Sequence, residues 1–218
     1  MQPHPDSGFD SVAPFYDGLS RLVFGDALRQ AQLIFLPAIP NQPRVLLIGG
    51  GSGWLLEQLL RLRPGMTVTY LEASSKMLQR ARQRIAGKDS ALPHRVIFRL
   101  GTEDALLPHE QFDVILTPFL LDLFPDERLQ HLMDRLFDAL TADGLWFFSD
   151  FWPAQTPPPL WQRLLLKIMY AFFGIISGVK ATAIPDFARH FARFALQEEA
   201  SNAFYGGMVQ AKVFRKLA

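Results

Sequence analysis

A glycine-rich loop follows the first apolar run of the chain, in the stretch VLLIGGGSGW that begins at Val45. Glycine permits positive φ angles and lets a ligand approach bare backbone, and the start of a following helix offers free N–H groups. Four glycines within five residues exceed what a strand-to-helix turn requires. We therefore expect a ligand-binding loop, with a tight turn that binds nothing as the alternative.

The spacing of these glycines argues against a dinucleotide-binding fingerprint, which needs glycine at its first, third and sixth positions. Counted from Gly49 the sixth position is Trp54, and counted from Gly51 it is Leu56. The pattern that remains is Gly49, Gly51 and Gly53, followed by a bulky residue that opens a helix. A nicotinamide-dependent dehydrogenase is therefore disfavoured.

A carboxylate closes the next apolar run, VTYLE, at Glu72, which lies 23 residues after Gly49. A carboxylate at the end of a second strand can accept hydrogen bonds from the hydroxyl groups of a ribose. An exposed acid at the end of a strand, with no ligand, is the plainer alternative. The position of Glu72 before a loop that leads to a helix favours the ribose role.

The elements that must position these residues alternate along the chain. Short apolar runs bounded by turn signals predict buried strands, and the stretches between them have apolar residues at helical spacing. Such alternation predicts a parallel sheet with helices on both faces and ligands at the carboxyl ends of its strands. The predicted strands are Arg44–Ile48, Thr67–Glu72, Val96–Leu100, Phe112–Thr117 and Gly144–Asp150, and the predicted helices are Trp54–Leu62, Ser75–Ile85 and Leu129–Leu140.

Two regions flank this core. Residues 9–36 predict one or two helices before the first strand, and Leu160–Ile176 predicts an apolar helix that is buried or interfacial. The longest apolar run, Leu164–Val179, is shorter than the roughly 20 residues that span a bilayer. A short helix, Ile184–His190, then precedes a terminal hairpin of Ala192–Glu199 and Met208–Arg215. We expect a single domain, with residues 1–43 as an N-terminal helical lid, 44–151 as the cofactor-binding core, 152–191 as an apolar insertion and 192–218 as the hairpin.

The composition narrows the function classes. With 218 residues, 49% of them hydrophobic and 20% charged, the chain is typical of a folded globular protein. A net charge of +1 gives no reason to expect a nucleic acid partner. The absence of cysteine excludes disulfides, thiolate nucleophiles and Cys-containing zinc sites, and we predict no metal. The polar start, MQPHPDSGFD, does not resemble a signal peptide, so we expect a cytoplasmic protein that could associate with a membrane.

Five stretches resemble, in order, the motifs of class I S-adenosylmethionine-dependent methyltransferases: VLLIGGGSG, YLEASSKML, LGTEDAL, FDVILTPFLLDLF and LTADGLWFFSDF. The resemblance spans roughly residues 45–151. The opening FDSVAPFYDGLS is similar to the segment before the fold in the branch that includes ubiquinone and menaquinone biosynthesis methyltransferases. This resemblance implies a Rossmann-like, doubly wound α/β fold, a seven-stranded and mostly parallel sheet whose last strand is antiparallel, and S-adenosyl-L-methionine as the cofactor.

The resemblance also implies roles for individual residues. The loop glycines Gly49, Gly51 and Gly53 would pass under the methionine moiety, and Glu72 would hold the ribose. Further implied contacts are Ala73 and Met77 near the adenine, Thr117 and Phe119 beside the methyl-donor end, and Tyr16 near the cofactor's carboxylate.

Two positions depart from the family pattern. Thr102 stands where the family often has an acid that contacts the adenine amine, so Glu103 or Asp104 would take over, with Glu103 preferred. Leu47 stands where the family usually has an acid that interacts with the methionine end of the cofactor. These departures leave two options open, a working enzyme and a catalytically inactive module that binds S-adenosylmethionine or S-adenosylhomocysteine.

Methyl transfer from a sulfonium is an in-line displacement, in which the protein mainly holds donor and acceptor at contact distance. A general base is needed only if the acceptor must lose a proton. Asp122 is the candidate, because it stands in FLLDLF where relatives often carry histidine. A loop or capping acid is the alternative for Asp122, and capping explains Asp150 equally well.

The acceptor is inferred from the flanking regions, which are apolar and aromatic. They predict a small hydrophobic acceptor, quinone-like, aromatic or lipid, with peripheral membrane contact and a monomeric or homodimeric protein. The candidates for the substrate pocket are Phe119, Trp152 and Tyr170. A self-associating protein that uses the aromatic helix as its interface, with the glycine loop empty, is a further alternative.

Overall fold

The computed structural model describes residues 23–63, 65–86, 95–155, 157–177 and 183–218, with the backbone alone for residues 172–177. Tyr16 and most of the predicted N-terminal lid lie outside the described residues. The strands are β1 (Arg44–Ile48), β2 (Thr67–Glu72), β3 (Val96–Leu100), β4 (Phe112–Pro118), β5 (Leu140–Phe151), β6 (Leu196–Phe204) and β7 (Val209–Lys216). The helices are α1 (Ala27–Leu33), α2 (Trp54–Leu62), α3 (Ser75–Ala86), α4 (Asp126–Ala139), α5 (Leu160–Ser177) and α6 (Phe187–Phe191), with 3₁₀ turns at Leu36–Ala38, Glu103–Ala105 and Leu121–Leu123.

The seven strands form one sheet in the order β3-β2-β1-β4-β5-β7-β6. Neighbouring strands from β1 to β5 run parallel, and β7 is antiparallel to both β5 and β6. The predicted seven-stranded, mostly parallel sheet with a terminal hairpin is therefore confirmed. The strand order reverses between β1 and β4, and in open α/β sheets such a switch point opens a crevice at the carboxyl ends of the strands.

Side chains alternate along each strand, so the sheet builds a separate apolar core on each face. On one face Val45 and Leu47 pack with the buried leucines of α2 and the buried face of α3. On the other face Leu46 and Ile48 pack with α4 and α6. The predicted helices on both faces are thus confirmed. A third cluster lies between α1, α5 and the β7 end of the sheet.

The helices that flank the glycine loop form as their patterns predict. In α2 the buried residues are Leu55, Leu56, Leu59 and Leu60, together with Glu57, which pairs with Arg61 at 2.7 Å. In α3 the buried residues are Met77, Leu78, Ala81 and Ile85, which recur at helical spacing. Apolar positions three and four residues apart fall on one side of a helix, which is why these two predictions hold.

Some boundaries differ from the predictions, each for a local reason. The predicted strand start at Gly144 is wrong, because Leu140 already pairs with Phe112 and the pairing resumes at Leu145 with Val114. Asp143, at φ 59°, lies in the excursion between these pairs. The predicted helix start at Ile184 is wrong as well, because the carboxylate of Asp186 caps α6 by accepting the N–H of Arg189 at 3.1 Å.

The first hairpin strand begins at Leu196 rather than at Ala192. Ala192 and Arg193 form the turn that follows α6, and their N–H groups donate to the carbonyls of Ala188 and His190. α5 has the predicted position after the fifth strand. Among the described residues, none of the helices combines the length and apolar character that crossing a membrane requires.

Candidate active site

The glycine loop connects β1 to α2 at the switch point of the sheet. Gly49, Gly51 and Gly53 have φ angles of 70°, 61° and 81°, in the left-handed region that favours glycine. Gly53 is the N-cap of α2, so the N–H groups of the first helical turn follow the loop directly. The predicted loop therefore has a defined backbone conformation in which three glycines are left-handed.

The space around each glycine distinguishes packing from ligand approach. A Cβ at Gly49 would lie 2.8 Å from the Leu120 side chain, and one at Gly50 would lie 2.6 Å from the Tyr70 ring. At Gly53 it would lie 2.7 Å from the backbone of Ala81, where α2 and α3 approach each other. A Cβ at Gly51 would meet no atom of the described residues within 4 Å. Gly51 is thus the glycine that faces open space, where a ligand would pass.

The carboxylate of Glu72 holds this loop in place. One oxygen accepts the backbone N–H of Gly51 and the other accepts the N–H of Ser74, both at 3.0 Å. The residue is 7% exposed, so these bonds are shielded from competing water. A carboxylate accepts more than two hydrogen bonds in total, so fixing the loop is compatible with receiving the hydroxyl groups of a ribose.

Tyr70 is a second residue that fixes the loop, and the sequence reasoning missed it. Its hydroxyl donates to the carbonyl of Gly51 at 2.7 Å, and its ring occupies the space beside Gly50. Both peptide groups of Gly51 are thereby oriented from β2. The signal was a tyrosine two residues before Glu72, on the same strand, but an alternating strand pattern does not say which loop a buried hydroxyl reaches.

The missing acid at position 47 has a structural explanation. Leu47 is fully buried and packs in the apolar core with Leu55 and Leu59 of α2. A carboxylate in this place would be buried among apolar side chains, which is costly without a partner. The loop is instead held by Tyr70 and Glu72, so its conformation does not depend on an acid at position 47.

The residues predicted around the adenine lie near Glu72 and at the end of β3. Ala73 is half-buried, and Met77 is buried in the first turn of α3, where its N–H donates to the Ser74 hydroxyl at 3.1 Å. Thr102 is buried after the end of β3. Ala73 and Thr102 thus follow the carboxyl ends of β2 and β3, while Met77 lies in α3. The role of these residues toward the adenine stays a prediction.

Glu103 has a partner that sequence reasoning missed. Its carboxylate is 1% exposed and accepts two bonds from the Arg128 guanidinium of α4, one of them at 2.8 Å. Asp104 is exposed and lies 3.2 Å from His131. The role of Glu103 toward the adenine stays a prediction, and this role competes with an ion pair that joins the 3₁₀ turn to α4.

Asp122 and Asp150 form a buried carboxyl pair at the ends of β4 and β5. Asp150 accepts the N–H groups of Leu121 and Phe151 at 2.9 and 2.8 Å, so it caps the turn after β4. Tyr170 of α5 lies 3.3 Å from Asp122 and donates its hydroxyl to that carboxylate. The pair therefore joins two strand ends to α5.

Burial raises the pKa values of all three groups in this cluster. Loss of solvation raises the pKa of Asp122 to about 6, although hydrogen bonds from Asp150 and Tyr170 act in the opposite direction. Burial and the nearby charge of Asp122 raise the pKa of Asp150 well above its ordinary value. Burial and the two carboxylates raise the pKa of Tyr170 as well. The pair consequently retains a proton under conditions where ordinary aspartates are ionised.

Comparisons with known proteins agree with this geometry. Residues 46–146 match the family described as "Methyltransferase domain". The matched stretch, a little under half of the chain, is similar to a methyltransferase domain. Malonyl-[acyl-carrier protein] O-methyltransferase of Bacillus cereus is 31% identical over 108 residues, which make up 50% of this chain. The matched stretch is 37% of the relative's own length, so the similarity concerns the methyltransferase domain and not the whole of that protein.

Solved methyltransferase structures share the fold of this chain at low sequence identity. Mitomycin 7-O-methyltransferase MmcR has a TM-score of 0.69 at 21% identity, with 92% of this chain and 57% of that chain covered. Burkholderia thailandensis 1,6-didemethyltoxoflavin-N1-methyltransferase, solved with 1,6-didemethyltoxoflavin and S-adenosylhomocysteine, has a TM-score of 0.68 at 18% identity, with 100% and 92% covered. The predicted class I methyltransferase fold is confirmed, and S-adenosyl-L-methionine is the cofactor that this family implies.

Two side chains predicted near the methyl-donor end differ in what they contact. Thr117 is fully buried, and its hydroxyl accepts the indole N–H of Trp146 at 3.1 Å, so this side chain belongs to the core of the protein. Phe119 follows the end of β4 with φ 49°, an uncommon angle for a bulky residue. Its ring lies 5.5 Å from that of Phe151. Phe119 thus stands at the switch point, while Thr117 faces the core.

The three residues predicted for a substrate pocket do not form one group. Phe119 and Tyr170 belong to the cluster between α1, α5 and β7. Trp152 packs instead with Phe148 and Phe187, at ring distances of 5.7 and 5.5 Å, in the core beside α6. Consecutive residues of an extended chain point to opposite sides, which separates Trp152 from Phe151.

Proposed function

We propose that this protein transfers a methyl group from S-adenosyl-L-methionine to a small hydrophobic acceptor. The observation that carries the proposal is the loop around Gly51, which is fixed from β2 by Glu72 and Tyr70 and faces open space on its Cα side. The residues fit the cofactor because a carboxylate suited to ribose and a glycine without steric hindrance lie in direct contact.

The bound cofactor would supply an electrophilic methyl group, and the chain's own residues would supply position. Glu72 would hold the ribose, and the fixed backbone of Gly49 and Gly51 would support the methionine end. Holding two reactants in line lowers a barrier by up to about 7–11 kcal/mol, which is why such a site works without a conspicuous catalytic side chain.

The domain division follows from this arrangement as a further part of the proposal. Residues 44–151 would form the cofactor-binding core, the residues before them and the insertion 152–191 would cover the acceptor, and the hairpin 192–218 would complete the sheet. α1 packs against β6 and β7, and α5 shares an apolar cluster with it, which supports a cover built from both flanks.

A hydrophobic acceptor is supported by the cluster at the switch point. Phe119 and Phe151 lie at the ends of β4 and β5, and Tyr170 approaches from α5. Asp122 is 2% exposed and bonded to Tyr170, so we assign it a positioning role between α5 and the strand ends. Direct proton transfer by Asp122 would require that bond to open.

The first experiment is calorimetry of the purified protein with S-adenosylmethionine, S-adenosylhomocysteine and NADH. We expect micromolar-range binding of the two adenosyl ligands and none of NADH. Absence of binding to both adenosyl ligands would overturn the proposal and would favour a protein with an empty loop.

The second experiment is transfer of a labelled methyl group to a panel of acceptors. The panel contains phenolic quinone precursors with short and long side chains, small aromatic amines and malonyl-acyl carrier protein, the substrate class named for the Bacillus cereus relative. Turnover of the phenolic or aromatic acceptors supports the proposal. Turnover of the carrier-bound substrate alone would replace the proposed acceptor class, and binding without any turnover would indicate an inactive module.

A further inference from the structure

α5 has two apolar faces, and only one of them is buried. Gln162, Leu166, Met169 and Tyr170 face the domain and are at most 9% exposed. The opposite side carries an outer stripe of four residues, Leu160, Trp161, Leu164 and Ile168, which are 79%, 49%, 61% and 58% exposed. Large apolar side chains that cluster in solvent mark an interaction surface more often than chance exposure.

The outer stripe has a defined geometry. An α-helix turns by about 100° per residue, so the four side chains lie within an arc of about 100°. On the same projection Arg163 and Lys167, both exposed, lie between this arc and the buried face. Residues 160–177 contain these two cations and no aspartate or glutamate. The outer face of α5 is thus an apolar stripe with a basic edge.

The helix holds this face in a fixed orientation. Near its start, the Gln162 side chain donates to the carbonyl of Gly206 in the β6–β7 turn at 2.9 Å. Near its middle, Tyr170 bonds to Asp122 at the end of β4. α5 is therefore attached to the domain at two points, Gln162 and Tyr170, and the outer stripe does not turn inward.

We propose that the outer stripe docks the protein on the surface of an anionic phospholipid bilayer, with α5 lying in the plane of the interface. Leucine and isoleucine side chains would enter the boundary between headgroups and acyl chains, and Trp161 would lie at headgroup level. Arg163 and Lys167 would reach the phosphates while their aliphatic stems cover apolar surface. This inference does not rest on the proposed methyl transfer.

Charge favours a lipid surface over a second copy of the chain. Pairing two α5 helices through their outer stripes would bring four cations together, with no carboxylate on either helix to compensate them. An anionic bilayer supplies that compensation along the whole basic edge. Each Lys or Arg near the surface raises the affinity for such a bilayer about fivefold.

The test is co-sedimentation of the full chain with two kinds of vesicle, pure phosphatidylcholine and phosphatidylcholine mixed with phosphatidylglycerol. We expect the protein to pellet with the mixed vesicles, to bind pure phosphatidylcholine at least about tenfold more weakly, and to be released from the mixed vesicles by salt. The variant Leu164→Gln/Ile168→Gln should lose binding to both. The variant Arg163→Gln/Lys167→Gln should lose only the preference for anionic lipid.

The chain offers a matched control. Leu107 and Ile97 are 60% and 58% exposed, nearly as much as Leu164 and Ile168, but lie away from α5. The variant Leu107→Gln/Ile97→Gln should bind vesicles like the unaltered protein. The proposal would be overturned if Leu107→Gln/Ile97→Gln lost as much vesicle binding as Leu164→Gln/Ile168→Gln. It would also be overturned if the unaltered protein stayed in solution with mixed vesicles. A dimer in ultracentrifugation that dissociates only in Leu164→Gln/Ile168→Gln would overturn it too, because the outer stripe would then be the interface between two copies of the chain.

Discussion

The carboxylate of Glu72 accepts the backbone N–H of Gly51 at 3.0 Å, and so joins the end of β2 to the loop after β1. Tyr70 of the same strand bonds the carbonyl of Gly51 at 2.7 Å. One strand therefore fixes both sides of a single glycine residue. A loop that is held before the ligand arrives loses less conformational entropy on binding, which favours affinity.

Replacing Glu72 with Gln should weaken S-adenosylhomocysteine binding by about 10- to 100-fold, because a hydrogen bond to a charged group contributes roughly 1.5–3 kcal/mol. The amide also offers one acceptor oxygen where two backbone N–H groups now bond. Calorimetry measures the change. Asp113→Asn is the control, since Asp113 pairs with Arg44 at the amino ends of β4 and β1, away from the loop. Equal affinities in all three proteins would contradict the ribose role.

Alanine at Gly51 and at Gly53 should have different effects, although both glycines have positive φ angles. The conformational strain costs about 1–2 kcal/mol at either position. Gly53→Ala should lose a further ~1–3 kcal/mol of unfolding free energy, because its Cβ meets the backbone of Ala81. Gly51→Ala should remain the more stable variant and lose cofactor affinity.

Urea unfolding and calorimetry separate the two effects. Gly51→Ala tests the ligand space because its Cβ meets no atom of the described residues within 4 Å. Binding of S-adenosylhomocysteine to this variant with unaltered affinity would show that the cofactor does not pass beside Gly51.

The buried pair of Asp122 and Asp150 should make the protein less stable as the pH rises. Both pKa values are raised in the folded state, that of Asp122 to about 6, so the folded protein binds protons more tightly than the unfolded chain. Their stabilisation is complete below the unfolded pKa of about 4 and is lost as the pH rises through about 6 and beyond.

Asp122→Asn should flatten this dependence. The amide can still accept from Tyr170 and donate to Asp150, but it carries no charge. We expect the fall in unfolding free energy between about pH 4 and 7 to shrink by on the order of 1–3 kcal/mol, measured by urea titration at each pH. Asp143→Asn is the control, since Asp143 is exposed and asparagine also tolerates the positive φ angle at this position. If the unfolding free energy of Asp122→Asn fell with pH as steeply as that of the unaltered protein, Asp122 and Asp150 would not share a buried proton.

Thr117→Val should destabilise the fold without changing cofactor affinity. The substitution leaves the Trp146 indole N–H buried with no acceptor, which costs about 1–3 kcal/mol. Thr117→Ser retains the hydroxyl and should lose less. Unfolding measurements and calorimetry distinguish a core role of Thr117 from a contact with the cofactor. A direct contact would lower cofactor affinity in Thr117→Val at a temperature where the variant is folded.

The sheet core could be predicted because its signals are local. The strands β1, β2 and β3 begin and end at the predicted residues, since each is a short apolar run between turn signals, buried in β1 and β2 and partly exposed in β3. The faces of α2 and α3 follow from apolar spacing alone. Boundaries failed at Leu140 and Leu196, where pairing with a distant strand decides how far an extended segment continues.

The candidate site could be predicted only in part. The glycine spacing and Glu72 pointed to a ligand loop, and these residues are in contact. The partners of Glu103 and Thr117 could not be foreseen, because Arg128 and Trp146 reach them from elements 25 and 29 residues away in sequence. The predicted pocket of Phe119, Trp152 and Tyr170 divided between two apolar clusters.

By itself, the sequence determined the order of strands and helices, the glycine loop and the carboxylate beside it, because these depend on residue type and on short-range spacing. The tertiary structure decided which glycine faces open space, which carboxylates share a buried pair and which face of α5 meets solvent. Those properties depend on what packs against a residue from a distant part of the chain, and local patterns do not contain that information. For α5 in particular, an apolar helix with two faces becomes a candidate membrane-docking helix only when one face is seen to be buried and the other exposed.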